Sequence, residues 1–304
     1  MKPRPSTARS ITELVAVAAL YPITWLFGHL PVGAGAWMGS RLGDLAWLLV
    51  PRRRAIALAN LARALGGLHP APERHRLARR SFQHLGMTFV ETCGLFFRPP
   101  ASILARVEMN GGERLREAAA QGKGVLVLTA HYGNWELLGA AHLLSGLPLS
   151  VVARPLDRPV LERLAARLRR RAGVELIDKR HAVRDVLQAL RQGRMVGILL
   201  DQNAARSEGV FVPFFGVPAS TSKGLALIAL RTRAPVVPVF IRRLGEGRHR
   251  VEVGVPLPPP GDDDVVAYTA AFNRAIEAAI HQAPEQWFWM HDRWRTRPRR
   301  ERTS

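Results

Sequence analysis

The chain has 304 residues and is 47% hydrophobic, enough to bury a sizeable core as one large domain or a domain with an appendage. Its net charge is +20, and all but four of its 44 basic residues are arginines, so it calls for an anionic partner: nucleic acid, membrane phosphate or an acidic protein. A single cysteine, Cys93, excludes a disulfide framework and a cysteine-based zinc site.

At the amino end, Lys2, Arg4 and Arg9 precede an uncharged stretch from Leu14 to Leu30, which carries Tyr21, Trp25 and Phe27 and is interrupted by Pro22 and His29. It is slightly short for a bilayer span, and no small-residue cleavage site marks it as a secretory signal. A second apolar stretch, Leu45 to Val50, stops at Pro51 and the arginines 52–54. Positive charge on both sides fits one anchor helix with a cytoplasmic amino end or a helical hairpin lying in the membrane interface, with a purely soluble helical layer as the alternative. Residues 1–50 are therefore expected to form a membrane anchor or interfacial helices, and 51–304 a separate domain.

Residues 51–98 read as helical. Ala55, Leu58, Leu61, Ala62 and Leu65 run to Gly66 and Gly67; a second helix starts near Pro72, runs through Phe82, Leu85, Phe89 and Phe96, and ends at Pro99 and Pro100. From about 112 the pattern alternates. Apolar runs at 124–130, 149–153, 174–177, 195–200 and 235–241, with a more polar one at 249–255, are separated by helical patterns at 136–145, 159–172, 181–192 and 221–232. A last helix covers about 263–282. The expected fold class is α/β: a mostly parallel central sheet flanked by helices over 112–304, with a helical layer at 51–100 and the amino-terminal anchor helix.

Several familiar motifs are missing. There is no G-x-S-x-G elbow, no phosphate-cradling G-x-x-x-x-G-K-[ST] and no H-E-x-x-H, and Gly33, Gly35 and Gly39 miss the dinucleotide fingerprint by one position. One constellation does carry chemistry. The run Val125 to Ala130 ends in His131, then Gly133 and Asn134 break it, and Glu136 opens the next helical pattern. That places an imidazole at the C-terminal edge of the sheet, where α/β folds bind ligands, and a carboxylate in the first helical turn. Glu136 can fold back to hold the ring in one tautomer, giving a base and its orienter with the nucleophile left to the substrate. It also suits the helix dipole, so a purely structural carboxylate remains the alternative.

This segment resembles the catalytic H-x-x-x-x-[DE] motif of the bacterial lipid A biosynthesis acyltransferases, the late lauroyl and myristoyl transferases within the lysophospholipid and glycerolipid acyltransferase superfamily. The resemblance continues in order along the chain. Val151 to Pro155 matches a strand leading to an arginine, and Ile198 to Gln202 a strand ending in Asp-Gln. Val212 to Gly216 matches a Val-Pro-Phe-Phe-Gly loop, and Arg231 to Pro238 an Arg-x-x-Ala-Pro-Val-Val-Pro strand. The segment 291–298 is similar to a terminal His-Arg-Arg-Phe-Lys-Thr-Arg-Pro, departing from it at Asp292.

The resemblance implies transfer of a fatty acyl group from acyl carrier protein to a hydroxyl of a phosphorylated glucosamine lipid, without metal, cofactor or acyl-enzyme. His131, oriented by Glu136, would act as general base. Arg154 would bind a phosphate or the developing oxyanion, or be one solvated arginine among many. Asp201 would orient the acceptor or pair with Arg154, or simply cap a helix. Gly133 and Asn134 would donate to the thioester oxygen, with a helix cap as the alternative for Asn134; Lys223 is a further phosphate candidate. The implied partners are acyl carrier protein, a phosphorylated glycolipid acceptor and an anionic membrane surface, but no nucleic acid. The implied place is the bacterial inner membrane, with the catalytic domain facing the cytoplasm. Lysophospholipids are the alternative acceptors. Two rival classes are a metal-dependent membrane hydrolase using His131, Glu136 and His142, and a basic nucleic-acid-binding protein.

Overall fold

The computed structural model describes residues 21–153, 167, 169–178 and 182–298. Residues 21–29 are helical, and Pro31 leads into α1 (Val32–Leu49). Pro51, whose missing N–H costs nothing in a first turn, opens α2 (Pro51–Leu65), and α3 (Ala71–Phe97) follows. The pair expected over 51–98 is thus present, but the helical layer begins earlier than 51, with α1. The sequence disguises α1 because Gly33, Gly35, Gly39 and Gly43 lower its helical signal.

Those glycines are spaced for packing. Gly35, Gly39 and Gly43 lie one turn apart on the same face, and α1 lies directly on α3 there. A Cβ on Gly39 would sit 2.5 Å from the Met87 Cα, and one on Gly43 or Gly86 would run into the opposite backbone. The anchor expected at 14–30 is only partly testable, since 14–20 lie outside the described residues. Among the described residues no helix is long and apolar enough to cross a membrane. Helix 21–29 and α1 do expose large apolar side chains, including Trp25, Leu26, Trp37, Leu48 and Leu49.

After the short α4 (Pro100–Leu104) come β1 (Val107–Asn110), α5 (Gly112–Ala120), β2 (Val125–Thr129), α6 (Trp135–Ala141) and β3 (Leu149–Ala153). Then follow β4 (Glu175–Asp178), α7 (Ala182–Arg191), β5 (Met195–Leu199), β6 (Gly209–Phe214) and β7 (Val217–Ser222). The series closes with α8 (Gly224–Thr232), β8 (Val236–Gly245), β9 (Arg248–Val253) and α9 (Val265–Gln282). Seven strands form one sheet in the order β1-β9-β8-β2-β5-β3-β4. All neighbours are parallel except β8 and β9, which form an antiparallel hairpin.

This is the mostly parallel α/β sheet expected from the alternating runs. The periodicity did not reveal β1, α5 or the separate two-stranded hairpin β6–β7, whose strands carry Pro213, Pro218 and hydroxylated residues. The helix expected at 159–172 falls largely outside the described residues.

β2 sits between β8 and β5 and is buried along its whole length, which explains an apolar run without alternation. Its side chains still point alternately to two cores. Leu126 and Leu128 join α2, α3, α7, α8, α9 and the carboxy-terminal tryptophans on one face. Val125 and Val127 join α5, α6 and Leu95 of α3 on the other.

Candidate active site

β2 and β5 run parallel in register, Thr129 opposite Leu199, so the residues two steps past each strand end arrive side by side. They are His131 and Asp201. The His131 Nδ1 lies 2.9 Å from Asp201 Oδ1, and the His131 backbone N–H donates to Oδ2 at 3.0 Å. Trp287 Nε1–H donates to the same Oδ2 at 2.8 Å. Asp201 is fully buried. Burial alone would raise its pKa, but the neighbouring His131 and the donors from His131 and Trp287 outweigh it, and the carboxyl is held below the usual carboxylate value.

An acceptor-only carboxylate at Nδ1 fixes the proton there and leaves the ring's lone pair on Nε2. The His131 side chain is 22% exposed, open enough to meet a substrate. The Gln202 amide nitrogen lies 3.3 Å from Nε2 and 3.5 Å from Nδ1. Such similar distances to both ring nitrogens put the amide over the imidazole face, off the Nε2 lone-pair axis. Trp135 and Phe288 flank the ring, with centroids at 5.3 and 6.3 Å.

This geometry corrects the expected orienter. Glu136 stands in the first turn of α6 as expected, but its carboxylate pairs with Arg169, at 2.9 Å to Nη2 and 3.4 Å to Nε. The ring is held by Asp201, seventy residues away in sequence, because the parallel register delivers it directly. The helix-cap alternative for Asp201 also falls, since no helix follows β5 before β6. Its suggested partner Arg154 lies outside the described residues.

The Gly133 N–H and the Asn134 side chain, expected as donors to a thioester oxygen, are engaged within the protein. Gly133 N–H donates to the Gln286 carbonyl at 3.0 Å. Its φ of 60° and its approach to the Ile241 carbonyl both demand glycine. Asn134 is fully buried; its Oδ1 caps α6 by accepting from Leu137 N–H at 3.0 Å, and its Nδ2 donates to Glu91 at 2.8 Å. The capping alternative is the one the structure bears out. Lys223 stands just before α8 and, among the described contacts, shares no hydrogen bond or ion pair with His131, Asp201 or Glu136.

Behind the turn lies a buried charged network that sequence reading did not find. Glu91 of α3 takes two hydrogen bonds from Arg243 of β8, at 2.9 and 2.7 Å, besides the one from Asn134. Arg243 also reaches His84 at 2.6 Å and Thr88 at 3.2 Å. Burial, with Arg243 beside it, lowers the His84 pKa to about 3, so the ring is neutral and accepts from the guanidinium. No local spacing links positions 84, 91 and 243. Only the Arg242–Arg243 pair, directly after the apolar run 235–241, offered a signal.

The carboxy-terminal aromatics form the back wall. Phe288 N–H donates to the His131 carbonyl, and His291 Nε2 accepts from Asn203 N–H. Burial lowers the His291 pKa to about 4, consistent with a neutral acceptor. Asn60 of α2 ties this segment down through the carbonyls of Trp289 and His291. Beside α6 opens a cavity of about 160 Å³, lined by Phe27, Leu30, Met87, Val90, Leu95 and Leu137 and bounded by Glu91 and Arg243.

The three side chains of the metal reading do not converge: Glu136 pairs with Arg169, and His142 Nδ1 meets the Gly139 carbonyl. Among the described residues no cluster of three His, Cys, Asp or Glu side chains could hold a metal ion. What the site offers is a partly exposed imidazole backed by a buried carboxylate; among the described contacts no serine, threonine or cysteine side chain meets the ring.

The family model described as bacterial lipid A biosynthesis acyltransferase matches residues 4–296. The chain is 31% identical over 278 residues to a lipid A biosynthesis lauroyltransferase of Escherichia coli, covering 91% of this chain and 90% of that one. It is 30% identical over 280 residues to the palmitoleoyltransferase of the same organism, with 91% and 90% covered. It is also similar, at 28% over 273 residues and with 86% and 83% covered, to a phosphatidylinositol mannoside acyltransferase of Mycolicibacterium smegmatis. With a single match running across nearly the whole chain and through the His131 site, the protein is an acyltransferase and belongs to the bacterial lipid A biosynthesis acyltransferase family.

Proposed function

We propose that the protein transfers a fatty acyl group from acyl carrier protein to a hydroxyl of a lipid A precursor, with His131 as general base held by Asp201. The observation that carries this is the buried Asp201 carboxylate on Nδ1 of a His131 ring that is 22% exposed, which leaves Nε2 as the ring's acceptor. A hydroxyl is a poor nucleophile at neutral pH. Nε2 takes its proton as the oxygen attacks the thioester carbonyl, and returns that proton to the thiolate when the carbon–sulfur bond breaks. The Nδ1–H···Asp201 bond stabilises the imidazolium formed in between.

Glu136 enters this reading through Arg169, which it fixes in the first turn after the base; a guanidinium there suits a phosphate of donor or acceptor. Arg154, one residue beyond β3, keeps its proposed role at a phosphate or the oxyanion. The apolar cavity beside α6 fits an alkyl chain. The exposed apolar face of helix 21–29 and α1, next to Arg52, Arg53 and Arg54, suits the surface of an anionic bilayer, with the sheet on its cytoplasmic side. Acyltransferase membership supersedes the hydrolase and nucleic-acid readings.

The test is acyl transfer by membranes carrying the enzyme, using labelled acyl carrier protein and three acceptors: lipid A precursor, lysophospholipid and a mannosylated phosphatidylinositol. Transfer to the lipid A precursor that His131→Ala abolishes is the expected result. Undiminished transfer by His131→Ala sinks the mechanism, and transfer only to one of the other two acceptors sinks the named acceptor. The mannoside acyltransferase among the relatives makes a different glycolipid the second reading.

A further inference from the structure

Among the described contacts, Asp201 receives three hydrogen bonds, and only the one from Trp287 does not come from His131. We infer that Trp287 is a positioning residue, whose indole N–H locks the Asp201 carboxylate in the rotation that keeps Oδ1 on His131 Nδ1. This rests on His131 acting as the base.

The argument is geometric. Trp287 is 1% exposed, and its ring is wedged against Trp289 (centroids 4.6 Å, near perpendicular) and Phe214 (5.5 Å). Its backbone bridges Tyr132, while its neighbours grip the catalytic turn on both sides: Gln286 through Gly133 and Phe288 through His131. The indole nitrogen therefore cannot follow the carboxylate if it turns. An indole offers one directional donor and no charge, so it fixes a carboxylate without neutralising it. Without it, Oδ2 keeps only the His131 backbone N–H, and rotation about Cβ–Cγ carries Oδ1 off the ring. The Nδ1–H tautomer, and with it the free Nε2 lone pair, then loses its hold.

Trp289 supplies an internal control. It lies in the same wall and is equally buried, but its indole N–H goes to the Pro284 carbonyl at 2.6 Å, not to Asp201. Trp287→Phe, Trp289→Phe and His131→Ala are compared by kcat and KM in acyl transfer to the acceptor the wild-type enzyme uses. The His131 tautomer is read from its ring ¹⁵N shifts. Trp287→Phe is expected to lower kcat about tenfold with KM unchanged, and to reduce the Nδ1–H tautomer. Trp289→Phe keeps an aromatic ring against Trp287 and leaves the Trp287 N–H on Asp201, so it is expected to lower the melting temperature and to disturb kcat and tautomer less than Trp287→Phe.

Equal effects of the two tryptophan variants on kcat and tautomer would overturn the inference. So would a wild-type kcat and tautomer in Trp287→Phe beside an inactive His131→Ala, which leaves the base assignment standing. Active His131→Ala overturns both. If Trp287→Phe fails to fold, 3-benzothienylalanine at position 287 keeps the shape and deletes only the N–H, with the same two outcomes.

Discussion

His131 and Asp201 form an imidazole–carboxylate pair whose worth, in the proposed mechanism, lies in the tautomer it enforces. Asp201→Asn keeps the shape but presents an amide to Nδ1, and the proton can then settle on Nε2, where it blocks the base. We expect kcat to fall about a thousandfold with the fold intact, measured by steady-state transfer beside circular dichroism. Glu136→Gln leaves His131 untouched and loosens only Arg169. We expect a rise in KM for the phosphorylated substrate with kcat lowered about tenfold or less. A kcat loss equal to that of Asp201→Asn would return Glu136 to the ring. The motif spacing pointed to His131 and placed Glu136 in the first helical turn, but it could not tell which carboxylate meets the ring. Five residues of separation allow contact without requiring it, and a parallel register can present any residue of the adjacent strand end.

The helical layer shows the same division between elements. Pro51, Pro99, Pro100 and the apolar period made α2 and α3 legible, whereas α1 escaped because its glycines, poor helix formers, are there for the approach to α3. Gly39→Ala tests that packing. Its Cβ meets backbone, which no rotamer can relieve, so we expect a loss of about 1–3 kcal/mol in thermal or urea unfolding. Gly33→Ala on the same helix meets nothing within 4 Å and should be neutral or slightly stabilising. Similar losses at both positions would show that helix propensity, not packing, sets the cost. The hairpin β6–β7 was legible only as a loop motif, since its prolines and hydroxyls give no strand period; the body of the enzyme supplies its burial.

At the scale of the whole molecule, charge and acid stability come to the fore. His84 and His291 are held neutral, with values lowered from 6.5 to about 3 and about 4 by burial. Below pH 6.5 the unfolded chain therefore binds protons that the native state refuses. Their stabilising contribution is complete above pH 6.5 and is lost as pH falls toward 4 and then 3; Asp201, held below 3.8, adds a loss at the acid end. Urea unfolding between pH 7 and 4 should show this slope, and His291→Gln should flatten it; an unchanged slope would rule out His291 as a source.

The apolar face of helix 21–29 and α1 also belongs to this scale. Trp37 and Leu48 are 62% and 66% exposed, so Trp37→Glu with Leu48→Glu leaves the core alone. Affinity for anionic phospholipid vesicles should drop about tenfold or more, read by cosedimentation, while the melting temperature holds.

The sequence by itself determined the α/β class, the strand that leads to His131, the lack of a side-chain nucleophile motif and the basic charge that suits an anionic partner. These are properties of composition, period and short-range spacing. Only the tertiary structure decided that Asp201 holds the ring, that Glu136 faces Arg169, that Asn134 is consumed by its cap, and that the tail tryptophans stand behind the site. Strand order and register are collective outcomes of burying both faces of the sheet, and they bring together residues whose separation along the chain carries no local signal.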